Sequence, residues 1–177
     1  MSPHFNPITD ITSDKLTGNY RQGDYVHHPQ HGVGIVKSIS ERSFYGAAPA
    51  RYAQLYFEED ELTLTVLEND LCNVIRCLLT PEQSLELLEN IKNWDGQAKK
   101  QWKAREDAHK VAFDAGDPFE YAKVLKGLVK LEQVSDLRPT DRRHLNRALD
   151  LLAAELGQTL KKTTGQVRNL IDEAART

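Results

Sequence analysis

Thr80-Pro81-Glu82-Gln83-Ser84-Leu85-Glu86-Leu87-Leu88-Glu89-Asn90-Ile91 marks the point where the chain changes its hydrophobic period. Thr80 offers an N-cap hydroxyl, Pro81 suits the first helical position and Gln83 completes a capping box. Leu85, Leu88 and Ile91 then recur at helical spacing. Downstream the pattern stays helical. A second helix is predicted from about Ala98 to Ala115, stopped by Gly116, and Asp117-Pro118 opens a third carrying Tyr121, Leu125, Leu128 and Val129. Pro139-Thr140 begins a long fourth helix striped by Leu145, Leu149, Leu152 and Leu156, and Thr163 with Gln166 caps a last one holding Val167, Leu170 and Ile171. Upstream the pattern is that of strands: Tyr25 to His28, Val33 to Ile39, Tyr52 to Phe57 and Leu62 to Leu67 are short, alternating or β-branched, and separated by Gly, Pro and acidic turns. The expected fold is therefore α+β. A small, curved β domain over residues 21–78 precedes an all-α domain of about five helices over residues 79–177, and residues 1–20, which show no period, are expected to be a flexible N-terminal extension.

Composition narrows the function classes. The 177 residues include 23 Lys and Arg against 26 Asp and Glu, a formal charge of −3, with 40% hydrophobic and 28% charged side chains. That is an ordinary globular composition. No apolar run approaches a membrane span and the N-terminus lacks the basic start and apolar stretch of a signal peptide, so a cytoplasmic protein without a membrane partner is expected. A charge of −3 argues against a free-standing protein that grips DNA, because such affinity comes mainly from neutralising phosphates. Residues 1–80 carry six basic and ten acidic side chains, whereas residues 81–177 carry seventeen and sixteen. Cys72 and Cys77 have no second pair to complete a zinc site and are expected to be buried, reduced thiols.

Catalytic signatures are absent: there is no G-x-S-x-G, H-E-x-x-H, Walker A loop or dinucleotide fingerprint. His27-His28-Pro29-Gln30-His31 is the best enzyme-like cluster, but alternation along a strand separates His27 from His28, and a proline turn carrying polar residues is the expected reading. Glu58-Glu59-Asp60-Glu61 is expected to be a solvated hairpin tip. Neither a metal nor a cofactor is implied. The more informative segment is Lys99-Lys100-Gln101-Trp102-Lys103-Ala104-Arg105-Glu106-Asp107-Ala108-His109-Lys110. Taking Ala104, Ala108, Val111 and Ala115 as the buried stripe of its helix places Trp102 roughly 150° away, beside Arg105 and His109. An indole pointing outward among cations can stack on an unpaired base or wedge between base steps. Packing of Trp102 against the neighbouring helix or the β domain is the alternative. Trp94 is expected in core or interdomain packing, and Arg142-Arg143 could extend the basic surface.

Gly23-Asp24-Tyr25-Val26-His27-His28-Pro29-Gln30-His31-Gly32-Val33-Gly34 resembles the opening motif of the CarD/CdnL family of bacterial transcription regulators, G-D-x-V-V-Y-P-x-H-G-V-G, which is also seen in transcription-repair coupling factors. The resemblance continues through Arg76, Trp102 and Ala115-Gly116-Asp117 and covers about residues 21–175. It implies a non-enzymatic factor. A Tudor-like β domain would dock on the RNA polymerase β subunit, and the helical domain would place a tryptophan at the upstream edge of the transcription bubble, slowing collapse of the open promoter complex. Trp102 matches the wedge, Arg105 and Arg142 match neighbouring DNA contacts, and Arg42 matches a polymerase-facing residue. Lys99 and Lys103 join the DNA-contacting set, and Tyr52, Leu64 and Thr65 join the polymerase-facing set. Thr65 stands where relatives often carry arginine, Leu67 replaces a usual proline, His27-His28 replace Val-Tyr, and Asp107 occupies a position that can be a DNA-facing lysine. The expected partners are the polymerase β subunit and promoter DNA within the polymerase complex, and a monomer is expected. The competing expectation is an adaptor whose helical domain recruits another protein without touching promoter DNA.

Overall fold

The computed structural model describes residues 19–177. Contacts among these residues divide them into two compact units: residues 19–26 with Gly34–Cys77 form one, and His27–Val33 with Leu78–Thr177 form the other. The expectation of a flexible extension falls mainly on residues 1–18, which lie outside the described residues. Tyr20, at its end, is half-buried against the β core and its hydroxyl donates to the Ile75 carbonyl at 3.3 Å.

A five-stranded sheet of order β4-β3-β2-β1-β5 is formed by β1 (Tyr25–His28), β2 (Gly32–Arg42), β3 (Ala50–Phe57), β4 (Leu62–Leu67) and β5 (Arg76–Cys77), and all of it except His27, His28, Gly32 and Val33 belongs to the first unit. β2 with β3, and β3 with β4, are antiparallel. A 3-10 turn at Glu68–Asp70 and the short helix α1 (Leu71–Val74) lead into β5; this helix and strand carry too few residues to show a period. Alternation along β3 turns Ala53, Leu55 and Phe57 into the core, where they meet Val26, Val36, Leu71 and Ile75. A bulge between Val36 and Ser38 leaves Lys37 without a partner on β3 and adds local twist to β2. The fold is Tudor-like. The glycines of the opening motif divide their tasks: Gly32 has φ of 70°, a turn conformation, whereas Gly34 lies in the strand where β2 crosses the ring of Phe57.

The second unit holds five helices: α2 (Pro81–Asn93), α3 (Trp102–Ala115), α4 (Pro118–Glu132), α5 (Pro139–Leu160) and α6 (Thr164–Arg176). Both expected capping boxes form, Thr80 with Gln83 and Thr163 with Gln166. α4 is the central helix, with Tyr121, Leu125 and Leu128 buried, and α5 lays Leu145, Leu152 and Leu156 into the same core. Leu87 and Ile91 of α2, Phe113 of α3, and Val167 and Ile171 of α6 close it. The α2 face differs from the expected Leu85-Leu88-Ile91 stripe: Leu85 is 61% exposed and Ser84 is buried. The Ser84 hydroxyl bonds the Thr80 carbonyl and the Thr159 hydroxyl, each at 2.8 Å, so a satisfied polar residue takes the inward position. Among the described residues no helix is long and apolar enough to cross a membrane.

A Cβ at position 34 would lie 2.5 Å from Phe57 Cε1 and 2.9 Å from the Tyr56 carbonyl oxygen. Gly34→Ala should therefore cost about 1–3 kcal/mol, as overpacking against backbone does. Denaturant unfolding measures it, with a lowered midpoint expected.

Candidate nucleic-acid interface

The buried stripe of α3 is not the alanine stripe. Arg105, His109, Ala112 and Phe113 are buried, while Val111 is 70% exposed and Ala115 is exposed. The reason is one ion pair. Arg105 Nε donates to Asp141 Oδ1 at 2.9 Å and Nη2 to Asp141 Oδ2 at 2.6 Å, a bidentate contact in which both residues are buried. Arg105 Nη1 donates to the carbonyls of Lys99 and Lys100 at 2.6 and 3.2 Å. Those carbonyls are thereby turned away from helical bonding, and α3 begins at Trp102 instead of Ala98. The carboxylate beside it raises the Arg105 pKa, and the same hydrogen bond holds the Asp141 carboxyl below its usual range. Arg105 thus departs from its expected role as a DNA contact: its guanidinium is spent inside the unit.

Trp102 lies on this same stripe, three residues before Arg105, yet past the end of the packed surface, and it remains 50% exposed. It lines a groove of about 290 Å³ with Glu106, Arg138, Pro139, Thr140 and Asp141. The Arg138 guanidinium lies 4.9 Å from the ring centroid, in cation–π contact. Lys99, Lys100 and Lys103 are exposed and make no ion pair among the described residues. Arg142 is exposed but paired with Glu132, and Lys110 is paired with Glu106 at 2.9 Å. The basic surface around the indole therefore consists of lysines from the α3 approach and Arg138 from the start of α5. Arg138 escapes a reading along the sequence because the turn between α4 and α5 brings it to the indole. Trp94 is half-buried, packed on Gly96 with Lys130 Nζ 5.3 Å from its ring centroid.

On the sheet, cross-strand register sorts the polymerase-facing candidates. Ser40 pairs with Tyr52 and Tyr52 with Leu67, while Gln54 pairs with Thr65. Directly paired residues share a face, so Arg42, Tyr52 and Thr65 stand on the side opposite the core. Arg42 Nε donates to the Ser40 hydroxyl at 3.2 Å, and the Tyr52 ring meets Phe44 edge-on at 4.9 Å. Leu64 differs: it pairs with the fully buried Leu55 and packs on the core. Its place on the outer face passes to Leu67, 39% exposed, and to Phe44, 41% exposed.

His27 separates from the other two histidines of its cluster. His27 is fully buried, its Nε2 2.9 Å from the Tyr121 hydroxyl and its Nδ1 3.9 Å from Glu155 Oε2, while Glu155 Oε1 accepts from the Leu79 amide at 2.9 Å. It is core structure and not a polar turn residue. His28 and His31 contact each other, ring centroids 4.7 Å apart. Among the described residues no group of three or more His, Cys, Asp or Glu could hold a metal. Cys72 is exposed and Cys77 half-buried, and both are free, so the expectation of buried thiols fails at Cys72.

The sheet unit and the helical unit each match a family of transcription-associated factors. Residues 20–76 match the CarD-like/TRCF RID domain and residues 86–172 match the CarD C-terminal domain. The chain belongs to the CarD-like family, a non-enzymatic family of transcription factors, and that membership points to RNA polymerase as its partner. It is also similar to the Bacillus subtilis (strain 168) protein named "Putative transcription factor YdeB", with 20% identity over 154 residues, 85% of this chain and 98% of that protein.

Behind Arg105, the His109 and His144 Nδ1 atoms are 3.1 Å apart, one ring donating to the other. Burial, then the neighbouring His144, push the His109 pKa down from 6.5 to about 4, and burial lowers His144 as well. Between those two values an unfolded chain binds protons that the folded pair refuses, so stability is full above about pH 6.5 and falls as pH drops toward 4. Thermal melting should give a lower midpoint near pH 5 than near pH 7; equal midpoints would show that the pair does not resist protonation.

Proposed function

We propose that this protein binds the RNA polymerase β subunit through the outer face of its sheet and stabilises open promoter complexes with Trp102 as a wedge at the upstream edge of the bubble. The observation that carries the reading is the half-exposed indole set beside Arg138 and the exposed Lys99, Lys100 and Lys103, which make no ion pair among the described residues. An indole in such surroundings can occupy a disrupted base step while the cations hold phosphates. The mechanism is differential binding: a wedge that fits opened DNA better than closed duplex shifts the equilibrium by the difference of its two affinities. Residues 21–78 would then serve the polymerase, with Arg42, Tyr52 and Thr65 in contact and Leu64 supporting them from the core side. Residues 79–177 would serve DNA, with Arg142 a weaker contact because Glu132 already pairs with it. Monomeric action in the cytoplasm belongs to the same reading.

An adaptor that never touches promoter DNA is favoured by one observation: Arg105, Lys110 and Arg142 are all engaged by carboxylates. Crosslinking from position 102 to the upstream bubble edge separates the two readings, since an adaptor gives no adduct. In the principal test, Trp102→Ala should leave co-purification with polymerase intact and shorten open-complex lifetime several-fold. Arg42→Glu should weaken the co-purification itself. Unchanged lifetimes on several promoters with Trp102→Ala would remove the wedge.

A further inference from the structure

We propose that Arg138 is a DNA-contacting residue and that it works with Trp102 as one unit, the indole taking the opened base step and the guanidinium the phosphate beside it. The inference rests on the wedge reading and adds to it a residue from a different helix. Three observations carry it. Arg138 is exposed, and its charge lies 4.9 Å from the centre of the Trp102 ring, so the two side chains are held together before any ligand arrives. Among the described residues its guanidinium engages only that ring, which leaves its N–H donors for a phosphate. Both carboxylates that line the same groove are committed elsewhere, Asp141 to Arg105 and Glu106 to Lys110, so neither cancels the charge of Arg138.

The site is prepared by packing. The Arg105–Asp141 pair joins the approach to α3 to the first turn of α5, and therefore holds Trp102 and Arg138, one at the start of each helix, at a fixed separation. A cation placed in this way contributes without the full entropy cost of ordering a long side chain. Arginine suits the task better than lysine because a planar guanidinium can lie over an indole and still present its edge to a phosphate.

The test uses the full chain with polymerase holoenzyme on promoter DNA and measures open-complex lifetime over a salt series for the wild type, Trp102→Ala, Arg138→Ala, Arg138→Lys and the double alanine variant. Melting temperatures check that each variant folds. Arg138→Ala should shorten the lifetime by about three- to tenfold and reduce the steepness of log lifetime against log salt by about one, the effect of losing one phosphate contact. Arg138→Lys should keep the salt slope and recover only part of the lifetime. In the Trp102→Ala background the Arg138→Ala effect should shrink, because the two act together. The inference is overturned if Arg138→Ala behaves as wild type while Trp102→Ala is defective, or if its effect is undiminished without the indole. No effect from Trp102→Ala would instead overturn the wedge reading, and the joint action with it.

Discussion

A buried arginine–aspartate pair organises the helical unit. Arg105 and Asp141 are 5% and 3% exposed, so both charges have left water, and only a bidentate contact with further acceptors offsets that desolvation. The two carbonyls before α3 supply those acceptors. In consequence the pair decides where α3 starts, which face it turns inward and how its first residue stands to the first turn of α5. Removing one partner of such a pair typically costs about 3–5 kcal/mol, because an uncompensated charge is left behind. The exposed tryptophan therefore stands on a rigid seat even though its ring reaches into solvent.

The same principle recurs through the unit. Ser84 bonds Thr159, His27 bonds Tyr121, and Lys126, 3% exposed, reaches the carbonyls of Lys92 and Ala174 at the ends of α2 and α6. Burial lowers the Lys126 pKa. Lys130 treats the carbonyls of Trp94 and Gly96 alike, at 3.1 and 3.0 Å. Helix ends that would otherwise keep unsatisfied carbonyls are thus closed by side chains from the central helix. Each of these contacts joins residues far apart in the chain.

The electrostatics fit a factor that leans on a larger partner. The protein carries a net −3, and several of its cations are neutralised within the fold. Three lysines and Arg138 around one indole form a small basic surface, too small to hold DNA tightly across a range of salt concentrations. Under the proposed function, polymerase supplies the proximity, and the high effective concentration lets a few contacts act on the promoter. The outer face of the sheet, with Arg42, Tyr52, Phe44 and Leu67, has the mixed aromatic and cationic character common in protein interfaces.

What the sequence determined by itself was local. Alternation located four strands, the caps at Thr80 and Thr163 and the prolines at 81, 118 and 139 located the starts of α2, α4, α5 and α6, and the glycine at 116 located the end of α3, because these depend on neighbouring residues and backbone freedom. The opening motif and the tryptophan were likewise visible as residue types in order. What only the tertiary structure decided was which side of a helix is buried and which charges are free. An alanine stripe outweighs arginine and histidine on any hydrophobicity scale, yet Asp141, 36 residues away, makes burial of Arg105 favourable. The partners that spend Arg105 and Arg142, and the turn that delivers Arg138 to Trp102, are set by long-range packing. The cost of burying a charge depends on what meets it there, and a single stretch of sequence does not contain that partner.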